Sequence, residues 1–316
     1  MNRRIALTLL ASAVFALSPA SAADQAMLRA VMPDAVVVGG ADIDRVMSSP
    51  FGQFMLDRMR SEEENLQKVI EMTGFDPRRD LREVMLASRS VQGKGSGLVM
   101  ARGTFDVGKL TATASTHGAV LDSYQGATIF KSNKSKANAE MVALLSGLVL
   151  AGPESDVRAA LDRLQATSAT PAAITAQASA ASAQWDVWGV STGSPAQFAG
   201  AIKNPNVGGA LKGEVLQGIT QTSGGVRFGA NVEVGGEAVM RSAQDATALV
   251  DVYKFLLSMI QMNAPKAGPA ASPLQSFIGS MNVTTSGNIV KFTGQLPEAE
   301  LEQLITGGRR TTAMAR

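Results

Sequence analysis

Apolar residues recur along this chain in two ways, as short runs and at helical spacing, and the alternation between them predicts a mixed fold. Ala35 to Ile43, with Val36-Val37-Val38 inside it, reads as a strand. Ser49-Pro50 supplies an N-cap and a proline at the first helical position. Phe51, Phe54, Met55 and Met59, then Leu66, Val69 and Ile70, follow at helical spacing up to Gly74. Glu62-Glu63-Glu64 between them is a solvated face or a break. Val84 to Val91 and Gly97 to Ala101 read as paired strands around a glycine-rich turn. Thr104 or Asp106 caps a helix through Leu110 and Ala114. Ala119 to Ser123 and Ala127 to Lys131 pair across Gln125-Gly126, and Met141 to Leu150 is an apolar run expected as a central strand. Gly152-Pro153-Glu154 opens a helix with Val157, Ala160, Leu161 and Leu164 on one face.

The Ala-, Ser- and Thr-rich stretch that follows is helix-competent from Pro171, because alanine propagates helix and proline suits its first turn. Beyond it the grammar repeats. Trp185 to Val190 is a strand, so Trp185 and Trp188 are expected on opposite faces. Ser194-Pro195 starts a helix. Val215 to Thr222 and Val226 to Val234 form a hairpin across Ser223-Gly224-Gly225. Ser242 with Asp245 resembles a capping box before a long amphipathic helix. Phe277 to Thr284 and Ile289 to Leu296 pair around Ser286-Gly287-Asn288, and Pro297-Glu298 starts a last helix through Ile305. The expected fold is α+β, in two related halves, each an antiparallel sheet with helices packed on one face. The halves are 23–165 and 185–306, joined by a helical connector, 166–184, and followed by a disordered tail, 307–316. The connector is alanine-rich rather than Gly/Ser-rich, so it should be stiff and the halves should pack together. The groove between them is then the first place to expect a ligand.

The first 22 residues stand outside this pattern. Arg3 and Arg4 precede an apolar run from Ile5 to Leu17, and Ala20-Ser21-Ala22 is a small-residue cleavage site. That is the design of a secretory signal peptide, with cleavage expected between Ala22 and Ala23. The apolar run spans about 20 Å as a helix, short of a hydrocarbon core of roughly 30 Å. A periplasmic or extracellular protein without a transmembrane anchor is expected. Charge agrees with no nucleic-acid role. The chain has 29 basic and 27 acidic residues, and losing Arg3 and Arg4 leaves 27 of each. Cysteine is absent, which removes disulfides, thiol nucleophiles and thiolate metal ligands.

Candidate chemistry is sparse. Gly189-Val190-Ser191-Thr192-Gly193 matches G-x-S-x-G, after a strand and before an expected helix. Its serine needs a base, and the single histidine, His117, precedes it, whereas the α/β-hydrolase order places the histidine after. His117-Gly118 reads instead as a helix end. One histidine and no cysteine leave no zinc set. The glycines around Lys94 lack both the dinucleotide and the P-loop spacing, so no cofactor is expected. Asp76-Pro77-Arg78-Arg79-Asp80 could hold an anion through its arginines, but a capped helical turn accounts for its composition.

Met32-Pro33-Asp34-Ala35, Ser49 to Gln53, Thr73 to Glu83, Gln221 to Gly225, Asp245 to Leu249 and Pro297 to Leu304 together resemble a family of exported bacterial hypothetical proteins. The resemblance runs through most of the chain beyond residue 22 and implies a helix from Pro171 leading into the strand at Asp186. It implies no catalytic residues. The expected function is an exported, non-enzymatic binding or scaffolding protein for a protein or small-molecule partner. The alternative is an exported serine hydrolase centred on Ser191.

Overall fold

Among the described residues, twelve strands form one antiparallel sheet. The computed structural model describes residues 22–59, 63–90, 97–131, 140–167, 171–193, 214–263 and 271–313. In chain order the strands are β1 Val37–Asp42, β2 Leu81–Ser88, β3 Gly97–Gly103, β4 Val120–Tyr124, β5 Ala127–Lys131, β6 Glu140–Leu145, β7 Leu148–Pro153, β8 Val187–Ser191, β9 Ile219–Arg227, β10 Asn231–Met240, β11 Asn282–Ser286 and β12 Ile289–Pro297. The helices are α1 Gln25–Ala30, α2 Ile43–Ser48, α3 Pro50–Met59, α4 Glu63–Thr73, α5 Pro77–Asp80, α6 Val107–Thr116, α7 Glu154–Gln165, α8 Thr175–Gln184, α9 Glu214–Gln217, α10 Ala243–Asn263, α11 Ala271–Ser280 and α12 Glu298–Ala313.

The α+β reading holds, with the sheet antiparallel throughout and its strands in the order β11-β12-β10-β9-β8-β1-β2-β3-β7-β6-β5-β4. The halves do not keep separate sheets: β1 pairs with β2 on one side and β8 on the other, so both runs of strands merge into one. Other links cross the same junction. Arg45 of α2 donates to the carbonyls of Ser182 and Trp185, and Phe51 of α3 stacks on Phe228 at 4.6 Å.

The register decides which residues share a face. Val38 lies opposite Ala87 and Val190, Met85 opposite Met100, and Leu150 opposite Ala143. Directly paired side chains point to one side of a sheet, so these form a common face. The larger core gathers there and includes Met27, Val157, Leu161 and Ala178 from α1, α7 and α8. In the second half the core changes sides. Ala238, Met240 and Val290 belong to the opposite face and pack with Ala246, Leu249 and Val250 of α10. One sheet thus carries two cores, one on each face, and helices lie on both faces rather than one.

Several expectations are corrected. The run from Met141 to Leu150 is two strands, β6 and β7, folded at Ser146-Gly147 with φ of 42° and 76°. Positive φ at both central residues suits a tight hairpin, and Gly147 is its glycine signal. The Ser223-Gly224-Gly225 turn does not exist: these residues lie inside β9, and the chain reverses between Arg227 and Asn231. A Cβ on Gly225 would stand 2.5 Å from the Trp185 side chain, and one on Gly235 would stand 2.6 Å from it, so the glycines clear space for a ring. Trp185 is the C-cap of α8 rather than a strand residue, and it shares one core with Trp188. Phe277 to Ser280 is helical, in α11. The last helix, α12, runs to Ala313, through most of the stretch expected as a disordered tail. The helical stretch up to Gly74 is described as α3 and α4, and residues 60–62 between them lie outside the described residues. The helix expected at Ser194-Pro195 and most of the turn around Lys94 fall outside the described residues, as do residues 1–21 of the expected signal peptide.

Candidate functional site

A cavity of about 480 Å³ lies between α4, α6 and the face of the sheet opposite the larger core. Its helical wall follows from local sequence. Asp106 caps α6 by accepting from the Lys109 backbone N–H at 3.0 Å, and Gly118, at φ 78°, ends it. Leu110, Thr113, Ala114 and His117 then fall on one stripe of α6, at the helical spacing i, i+3, i+4, i+7. Val69, Met72 and Thr73 form the matching stripe of α4. The sheet contributes Phe130, Val142, Leu144 and Val149. Phe75 and Phe105 also line the cavity, stacked at 5.3 Å.

The polar side chains on this wall are engaged by backbone. Thr73 Oγ1 donates to the Val69 carbonyl at 2.6 Å, and Thr113 Oγ1 donates to the Met72 carbonyl, tying α6 to α4. The Thr113 carbonyl is 2.8 Å from His117 Nδ1. A carbonyl only accepts, so Nδ1 carries the hydrogen. Both threonine hydroxyls and the His117 Nδ1 are thus taken up by backbone, and the rest of the wall apart from the His117 Nε2 edge is apolar. Val69, Met72 and Val142 remain 42%, 48% and 38% exposed, so the helices cover this face without filling it.

The other candidates are not drawn together. Ser191 is the last residue of β8 and is buried, and among the described residues its Oγ has no hydrogen-bond partner. His117 stands over β5–β7. Three strands, β1, β2 and β3, lie between β8 and β7, a separation of roughly 19 Å at strand spacing. Asp76, Arg78, Arg79 and Asp80 close on one another. Asp76 caps α5 and accepts from Arg78, while Arg79 pairs with Asp80 at 2.7 Å. Those arginine bonds hold both carboxyls below the usual range. Among the described residues no His, Cys, Asp and Glu group could hold a metal ion.

Ala23, at the expected cleavage site, is buried, and its backbone N–H donates to Ser182 Oγ at 2.8 Å. The next residue, Asp24, caps α1 and pairs with Arg102 at 2.8 Å, while its own N–H donates to Glu83 at 3.1 Å. Burial pushes the Glu83 carboxyl up to about 7, against the opposing pull of that N–H. Ala22 is exposed.

The cavity residues were missed as a group, although one signal for them exists. Met141 to Leu145 is apolar on both faces of β6. Met141 and Ala143 feed the larger core, and Val142 and Leu144 line the cavity. A strand apolar on both faces needs cover on both.

No family model and no curated protein matches the chain. Two solved structures, crystal forms I and III of TP0453, are similar to it in fold, at 11% and 10% sequence identity. The alignments cover 89% of this chain and 96% and 97% of theirs, with TM-scores of 0.48 and 0.50. At such identity the likeness of form III bears on the fold alone. No helix among the described residues is long and apolar enough to cross a membrane.

Proposed function

We propose that this chain is an exported, non-enzymatic binding protein that takes an apolar ligand of the fatty-acyl class into the cavity under α4 and α6. The observation that carries the reading is the cavity wall, where apolar side chains from two helices and three strands converge and the threonine hydroxyls are bonded to backbone. Small-molecule sites are concave and mainly apolar, and about 480 Å³ falls in their usual range. The partly exposed Val69, Met72 and Val142 leave a way in. Export rests on the charged, apolar and small-residue regions of the first 22 residues. No observation favours the hydrolase reading, since Ser191 stands far from the single histidine.

The test is calorimetric titration of the protein with dodecanoate, beside the Val142→Asp variant. Val142 is partly exposed, so the change is tolerated by the fold but places a charge on the cavity wall. Binding by the parent and its loss in the variant, with a similar melting temperature, is the expected result. Equal binding by both would remove the cavity from the account.

A further inference from the structure

A second cavity, of about 340 Å³, lies on the other face of the sheet, between α8 and the second-half strands, and its wall is of a different kind. Gln177, Ala180, Ala181 and Gln184 form one stripe of α8 facing it. Across from them stand Gln221 and Ser223 of β9 and Thr293 of β12, with the peptide backbone of Gly224 and Gly236 between. The register puts Ser223, Glu237 and Lys291 in one row, and Gly225, Gly235 and Thr293 in the next. The cavity thus sits where the larger core ends and the same sheet face turns polar.

Three features define what would fit. The wall is rich in primary amides and hydroxyls, which both donate and accept. Its charged side chains, Glu237 and Lys291, pair with each other at 2.6 Å, so the wall presents no net charge. Among the described residues, Gln177 Oε1 is buried without a hydrogen-bond partner. A desolvated acceptor in that state calls for a donor brought from outside. Trp185 adds an aromatic surface beside the amides.

We infer that this cleft is a second binding site, for a neutral saccharide of one or two rings. A sugar offers hydroxyls that serve as donor and acceptor at once, matching amides on both walls, and C–H faces that lie against an indole. A carboxylate or phosphate would find a lysine already neutralised, and a purely apolar ligand would leave the amides unpaired. The site is independent of the acyl cavity, because the two lie on opposite faces of the sheet.

Side-chain amide spectra of the isotopically labelled protein test it, recorded with glucose, N-acetylglucosamine and maltose at concentrations around 10 mM, enough to populate a site of about 1 mM affinity. The expected result is a saturable shift of the Gln177, Gln184 and Gln221 amide signals with at least one of the three sugars. Gln177→Leu should weaken that binding at least about tenfold, while raising the melting temperature by about 2–4 °C because the unpaired acceptor is gone. Dodecanoate binding should be unchanged in that variant, which shows an intact fold. Silence of all three amides with all three sugars would overturn the inference. So would sugar binding that survives Gln177→Leu undiminished, or shifts produced by free glutamine and by none of the sugars.

Discussion

The two ends of the sheet differ in how they use their faces. Along β6, Met141 and Ala143 face the larger core while Val142 and Leu144 face the acyl cavity, so both faces are apolar. Along β12, Val290, Phe292 and Leu296 alternate with Lys291, Thr293 and Gln295, so one face is packed and the other polar. At the β12 end, α10 packs on the apolar face as part of a second core, and α11 packs against β12. At the β6 end, α4 and α6 cover the apolar face and leave a cavity. A two-sided apolar strand under an unfilled helical cover reads as a binding site, and an alternating strand packed on its apolar face reads as part of a core.

The largest effect that could break this contrast lies in the larger core. Leu150 is fully buried there, and Leu150→Ala should cost about 2–5 kcal/mol in urea unfolding. Thr293→Ala, on the exposed face of β12, should stay within about 0.5 kcal/mol of the parent. Similar losses at both sites would mean that the polar face of the second half is not a surface.

Next comes the glycine zone between the two ends. Gly225→Ala brings a methyl to 2.5 Å from the Trp185 side chain and 2.3 Å from the Val187 carbonyl. Backbone cannot give way as a flexible side chain can, so a loss of about 1–3 kcal/mol is expected. Gly279→Ala, on α11 with open space around its Cβ position, should instead be neutral or stabilising. Paired thermal melts separate the two.

These glycines also show why part of the fold was hidden in the sequence. Gly126 and Gly287, both at positive φ, mark real turns where their local context predicts them. Gly224 and Gly225 have the same local appearance, but they serve Trp185 and neighbouring backbone across the strands. That demand comes from tertiary packing, and no local pattern carries it. Caps were legible because their chemistry is local: Asp106, Asp76 and Ser242 each accept from the first turn as expected. The helical stripe of α6 was legible too. Its conversion into a cavity was not, because that depends on α4 approaching from 41 residues upstream without closing the gap.

A pH-dependent effect concerns Glu83, beside the α1 cap. Its folded-state value of about 7 lies above the ordinary 4.5, with burial the main cause and the charges of Asp24 and Asp42 adding to it. Between those values the folded protein holds more protons than the unfolded chain. The contribution to stability is therefore complete below about pH 4.5 and is lost as pH rises through about 7. Glu83→Gln keeps an acceptor for the Asp24 N–H and has no charge to desolvate. Unfolding of this variant between pH 4 and 8 should show a flatter profile than the parent, and greater stability at pH 8. A steeper profile would place the titrating group elsewhere.

The contrast between the two ends rests finally on whether the first-half cavity takes up an alkyl chain. Calorimetry with octanoate, decanoate and dodecanoate measures this directly. Each added methylene buried should strengthen binding by about 0.8 kcal/mol, or roughly fourfold, with a negative heat-capacity change, until the cavity is full. Val142→Asp should abolish the trend, while Thr293→Ala leaves it intact. Affinities that do not rise with chain length, or that rise equally in the Val142→Asp protein, would contradict the account.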